Sequence, residues 1–221
     1  PYNLLIYPVY HQLKKQFPNQ RAVTVETRDD GTNVISGYAA VYYRADDAGT
    51  QYELMPEYFE RIKPGAFDRA LAEGQDVRAL FNHDPNHVLG RSKSGTLRMT
   101  ADSVGLRYEV DMPNTQTARD LAESVKRGDV SGSSFAFSVT SEGQEIERAK
   151  DGNTYRNIKD ADLYDVSVVT YPAYESATSG IRTAENVEEA RAALERWESE
   201  QNSEIDAVRV RLREIKFDLE R

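Results

Sequence analysis

The chain has 221 residues, with 28 Lys and Arg against 37 Asp and Glu, so its formal net charge is −9. That acidic balance argues against the basic footprint of a nucleic-acid binder. It has no cysteine and three histidines, which removes disulfide scaffolds, thiol nucleophiles and thiolate metal sites and leaves no expectation of a metal or other cofactor.

Residues 1–20 are rich in Tyr, Pro and Gln and contain no acid. They are expected to form an irregular extension and do not read as a secretory signal, because no small-residue cleavage site follows a charged start. Residues 21–182 read as the folded domain. Val23 and Val25 alternate, and Asp29-Asp30-Gly31 then leads into Val34, Ile35, Gly37, Ala39 and Val41, a strong hairpin signal. Pro64–Glu73 reads as a helix with Pro near its start and Gly74 after its end. Val77–Phe81 is a short apolar strand that runs into a Pro-containing loop at His83. Leu97–Met99 and Leu106–Val110 form a second hairpin across Asp102-Ser103-Val104-Gly105. Ala118–Arg127 reads as a helix capped by Thr117 and closed by Gly128. Ser134–Thr140 and Leu163–Thr170 are two further β-rich runs, the second stopped by Pro172, which cannot donate to a ladder.

Residues 183–221 form the third zone, a helical tail. Through 186–221 the apolar positions Val187, Ala190, Leu194, Trp197, Ile205, Val208, Leu212, Ile215 and Leu219 fall three and four apart, with one stutter across Gln201. That is a heptad seam, a coiled-coil pattern. Such a helix must pack on the domain or on another chain, so self-association through residues 186–221 is an expectation. No apolar run approaches the ~20 residues needed to cross a bilayer, so no membrane partner is expected.

Three stretches could carry chemistry. His83 stands where an apolar strand gives way to a loop, a favoured place for a catalytic group on a rigid base; a loop-capping role is the plainer alternative. His87, four residues on, reads as a surface residue, and His11 lies in the extension. Ser133 and Ser134 follow a helix end and a tight Gly-Ser turn, where a hydroxyl can serve as an acyl-transfer nucleophile or simply satisfy backbone groups. The order is helix–turn–strand, whereas the nucleophile elbow of the α/β-hydrolases needs strand–turn–helix, so that fold is rejected. Asp165 is an acid leading directly into an apolar strand, where a carboxylate is costly to bury without a partner.

Taken together, these stretches resemble the prohead (procapsid maturation) serine proteases of tailed bacteriophages. The resemblance covers about residues 22–178 and rests on five segments in order. They are Ile35-Ser36-Gly37-Tyr38-Ala39-Ala40-Val41, Ile62-Lys63-Pro64-Gly65-Ala66-Phe67, and Asn82-His83-Asp84-Pro85 with Leu89-Gly90-Arg91. Gly128 through Phe137 and Leu163 through Tyr174 complete the set. The resemblance implies an α+β fold, with a mostly antiparallel β-barrel core flanked by short helices as in the herpesvirus assembly proteases, followed here by the long C-terminal helix.

It also implies a serine endopeptidase that cleaves capsid and scaffold proteins, and itself, inside the procapsid in the host cytoplasm. Residue by residue, the nucleophile falls on Ser134 and the base on His83. The third position falls on Asp165, where the family usually carries Glu. Ser133 is the alternative nucleophile and His87 the alternative third member. A histidine base works as neutral imidazole, so activity is expected at neutral to alkaline pH. A reading from another class is an inactive assembly or scaffolding protein that docks through its C-terminal helix.

Overall fold

A computed structural model describes residues 23–139, 142–170, 191–201 and 203. The predicted extension, His11 and most of the heptad tail lie outside the described residues. The first hairpin joins β1 (Thr24–Thr27) to β2 (Asn33–Val41). Gly31 turns it at φ 85°, a left-handed conformation that suits glycine. Along β2, Ile35, Gly37 and Ala39 are buried alternately, and a bulge between Tyr38 and Ala40 then turns Ala40 inward as well. The second hairpin is β7 (Leu97–Ala101) with β8 (Gly105–Asp111), closed by the predicted Asp-Ser-Val-Gly turn. Together they make one antiparallel sheet in the order β1-β2-β8-β7.

Two helices flank the strands. α1 (Asp68–Ala72) is shorter than expected, because Pro64 and Gly65 form a turn ahead of it instead of its first turn, with Gly65 at φ 90°. α2 (Gln116–Arg127) buries Ala118, Leu121, Ala122 and Val125, the i, i+3, i+4, i+7 stripe of a core-facing helix. Its cap is Thr115, whose hydroxyl accepts from Ala118 N–H at 3.3 Å, and not Thr117. The helix therefore begins earlier than the sequence reading placed it. Gly128 ends it at φ 82°.

A second sheet was not expected. β3 (Gln51–Met55), β4 (Tyr58–Ile62), β10 (Gln144–Arg148) and β11 (Thr154–Ile158) assemble in the order β10-β11-β4-β3, with β11 parallel to β4. The third sheet holds β5 (Arg78–Phe81), β6 (Asp84–Arg91), β9 (Gly132–Ser138) and β12 (Asp162–Val169) in the order β6-β5-β12-β9. β12 is central there, parallel to β5 and antiparallel to β9.

The fold is thus α+β and mostly strand, but the expected barrel does not close. Among the described residues, single backbone bonds replace continuous ladders at the seams, such as Val23 N–H to Ser131 O and Tyr43 N–H to Ile62 O. The first and third sheets pack through β2 and β9. A β-carbon at Gly37 would meet Ser133 Oγ at 3.1 Å, so glycine there lets the layers approach. A large apolar core that includes Ile35, Phe67, Leu106, Tyr108, Phe135 and Val166 fills this region. Residues 191–201 are helical. Their Ala193 is buried and their Leu194 packs on Leu54 and Tyr58 of the second sheet.

Candidate active site

The third sheet positions the candidate residues. In the β9–β12 register Ser134 stands directly opposite Ser167, and Ala136 opposite Asp165. Cross-strand partners share a face, as do residues two apart on one strand. Ser134, Ser167 and Asp165 therefore project from the same side. Ser133, one residue earlier, projects from the other side, where its hydroxyl lies 2.8 Å from Tyr108 Oη in the core. Burial pushes the Tyr108 phenol far up, outweighing the opposing effect of the Ser133 bond. The alternation of the strand thus separates the two serines, and only Ser134 faces Asp165.

His83 comes from a hairpin and not from the loop the sequence suggested. Phe81 at the end of β5 pairs with Asp84 at the start of β6, leaving Asn82 and His83 as the turn. Their φ values are 54° and 56°, the left-handed pair that a type I′ two-residue hairpin demands. Pro85 does not prevent the following strand because β6 is at the sheet edge, where a missing donor is tolerated.

The turn is tied to the end of β12. Asn82 N–H donates to Val168 O at 2.9 Å, and Asn82 Oδ1 accepts from Thr170 N–H at 2.9 Å. Asn82 Nδ2 also donates to Thr170 Oγ1 at 3.3 Å. So anchored, the His83 side chain reaches back along β12, and its Nδ1 lies 2.7 Å from Asp165 Oδ1.

Exposure is graded across the group. Ser134 and Asp165 are each 8% exposed and Ser167 is 0%, whereas the His83 side chain is 38% exposed. A carboxylate withdrawn from water is stable only with donors, and Asp165 has two, His83 and Ser167. The residue on His83 Nδ1 is Asp165, and His87, the alternative third member, makes other contacts. Its Nε2 lies 3.6 Å from Asp84 Oδ2, and its ring rests near Phe81. Among the described residues no group of three or more His, Asp or Glu is placed to hold a metal ion.

Two members of the group were missed in the sequence. Asn82 carried a usable signal, an Asn at the first position between two strand-like runs, masked by the Pro that follows. Ser167 carried a weaker one: it is two residues past Asp165 on a strand and must share its face.

Comparison with known proteins bears on the chain as a whole. Searches of curated proteins and of solved structures found no match. A family model described as caudovirus prohead serine protease matches residues 21–191. The match takes in every strand described above together with α1 and α2, and it includes Ser134, His83 and Asp165. On that extent of agreement, the chain belongs to the caudovirus prohead serine protease family.

Proposed function

We propose that the protein is a serine endopeptidase that cleaves capsid and scaffold proteins, and itself, during prohead maturation inside the procapsid. Ser134 is the nucleophile, His83 the general base and Asp165 the group that orients the base. The observation that carries this reading is the 2.7 Å contact between His83 Nδ1 and Asp165 Oδ1. An ionised carboxylate only accepts, so the proton sits on Nδ1 and Nε2 keeps its lone pair. That tautomer is the one a base needs to take a proton from a hydroxyl. Ser134 supplies a hydroxyl on the same face, one strand away from Asp165.

The chemistry follows in two halves. Ser134 Oγ bonds to the scissile carbonyl carbon as its proton passes to His83 Nε2. The C–N bond breaks, and the leaving amine takes that proton. Water then gives a proton to the same Nε2 while its oxygen bonds to the acyl carbon, and Ser134 regains its hydrogen as the product acid leaves. Asp165 stays ionised and stabilises the imidazolium formed in each half. Positioned acid–base catalysis of this kind contributes about 10²–10⁴-fold.

The test is intact-mass spectrometry of the purified full chain after prolonged incubation, alone and with the capsid protein it matures alongside. New termini are expected for the wild-type protein. They should be absent for Ser134→Ala and for His83→Ala, and the capsid protein should stay uncut. Processing by Ser134→Ala at the wild-type rate would remove the assignment.

A further inference from the structure

One oxygen of Asp165 accepts two hydrogen bonds. His83 Nδ1 approaches Oδ1 from the turn, and the Ser167 hydroxyl donates to the same oxygen at 2.7 Å from within the sheet. The two donors differ in how firmly they are held. His83 projects from a hairpin tip and its side chain is 38% exposed. Ser167 is fully buried on β12, which is flanked by strands on both sides.

The carboxylate torsion of an aspartate is broad. Bonded to His83 alone, carboxylate and imidazole could swing together without losing their contact. A second donor on the rigid central strand removes that freedom. The hydroxyl has one proton to give, and it gives it to Asp165.

From this geometry we infer that Ser167 is a positioning residue for proteolysis: by pinning the Asp165 carboxylate it fixes the orientation of the His83 imidazole on the face of the sheet that carries Ser134. The inference rests on the triad proposed above. Ser167 is not itself a second nucleophile, because it is shut off from solvent. Misplacement of a reacting group by about 1 Å can cost roughly 10²-fold in rate, so loss of the pin falls on the chemical step and not on substrate binding.

The experiment uses a fluorophosphonate on the full chain, followed by intact mass. In that reaction Ser134 Oγ bonds to phosphorus, fluoride leaves, and the serine proton passes to His83. The rate therefore reports activation of the nucleophile without knowledge of the peptide substrate. Ser167→Ala should lower the maximal labelling rate by about 10–100-fold while leaving the half-saturating concentration unchanged. Ser167→Cys, close in volume and a weak donor, should fall between; it also carries the test if the alanine variant does not fold. The low-field proton resonance of His83 Nδ1–H, identified by its loss in His83→Ala, should shift or broaden in Ser167→Ala.

A Ser167→Ala protein that labels at the wild-type rate, with Ser134→Ala unlabelled, overturns the role of Ser167 and leaves the triad standing. An adduct on Ser167 also overturns it. Labelling of Ser134→Ala at the wild-type rate removes the triad and the inference together.

Discussion

Holding His83 in place costs backbone energy. At φ 54° and 56°, Asn82 and His83 occupy a region where a β-carbon crowds the following carbonyl. Asparagine tolerates it better than most residues, and its side chain recovers part of the cost through its bonds to Thr170. Two substitutions separate these effects. Asn82→Gly removes the side-chain bonds and relieves the strain. Asn82→Ala removes the bonds and keeps the strain. Both should slow fluorophosphonate labelling, since the turn that carries His83 loses its side-chain ties to Thr170 and keeps only the backbone bond to Val168. In denaturant, the alanine variant should be the less stable by about 1 kcal/mol. Equal stability of the two would show that the turn is not strained. At this scale the resemblance singled out His83, Ser134 and Asp165, and the structure places His83 against Asp165 and Ser134 on the same face of the sheet. The choice between Ser133 and Ser134 needed the sheet, because strand alternation and the Tyr108 hydroxyl are what send Ser133 into the core.

At the scale of elements, the hairpins with turn chemistry in their sequence were legible, and so was α2 with its apolar stripe. The second sheet was not. Its strands read Gln-Tyr-Glu-Leu-Met, Tyr-Phe-Glu-Arg-Ile, Gln-Glu-Ile-Glu-Arg and Thr-Tyr-Arg-Asn-Ile; buried charges, Glu60 in β4 and Arg156 in β11, break the period of two that identifies a strand, and β10 carries few apolar residues to show it. The β7–β8 turn offers a test at this level. Tyr38 on β2 donates its phenol hydrogen to Asp102 Oδ2 at 2.6 Å, joining the turn to the neighbouring strand. Burial pushes the Tyr38 phenol up from 10.0 to about 12, helped by the Asp102 bond. Burial also pushes Asp102 up, but donors from Tyr38, Val104 and Gly105 prevail and hold it below its ordinary 3.8. The signs then follow. A depressed carboxyl stabilises the fold above its unfolded value and loses that contribution as pH falls through the folded one. A raised phenol stabilises it below its unfolded value and loses that contribution as pH rises toward the folded one. The stability difference between wild type and Tyr38→Phe should therefore be flat from about pH 5 to 9. It should shrink below 3.8 and again between 10.0 and about 12. Thermal unfolding across pH checks this, and a difference that is constant over the whole range would contradict it.

At the scale of the whole molecule, what the sequence concealed was long-range pairing. β4 lies parallel to β11, and β5 parallel to β12; each pair joins segments far apart in the chain, with no local turn to announce it. Residues 191–201 add to the same region, since Leu194, a position of the predicted seam, packs on the chain's own second sheet. The ion pair at the centre of that sheet explains how charged strands can sit inside. Glu60 and Arg156 are register partners on β4 and β11, joined at 2.9 Å with side chains 5% exposed. Gln144 on β10 accepts from Arg156 Nε at 2.6 Å, so the guanidinium ties three neighbouring strands together. Removing one partner of a buried pair leaves a charge in a low-dielectric interior and costs about 3–5 kcal/mol, whereas replacing both by apolar residues of similar volume is often neutral. Glu60→Ala should accordingly lose about that much in urea unfolding, while Glu60→Leu combined with Arg156→Met should recover most of it. Because the proposed catalytic group is built on the third sheet, the double variant should label with fluorophosphonate at the wild-type rate. If the double variant is as unstable as the single one, the pair does more than satisfy its own charges, and the parallel register of β4 with β11 depends on it.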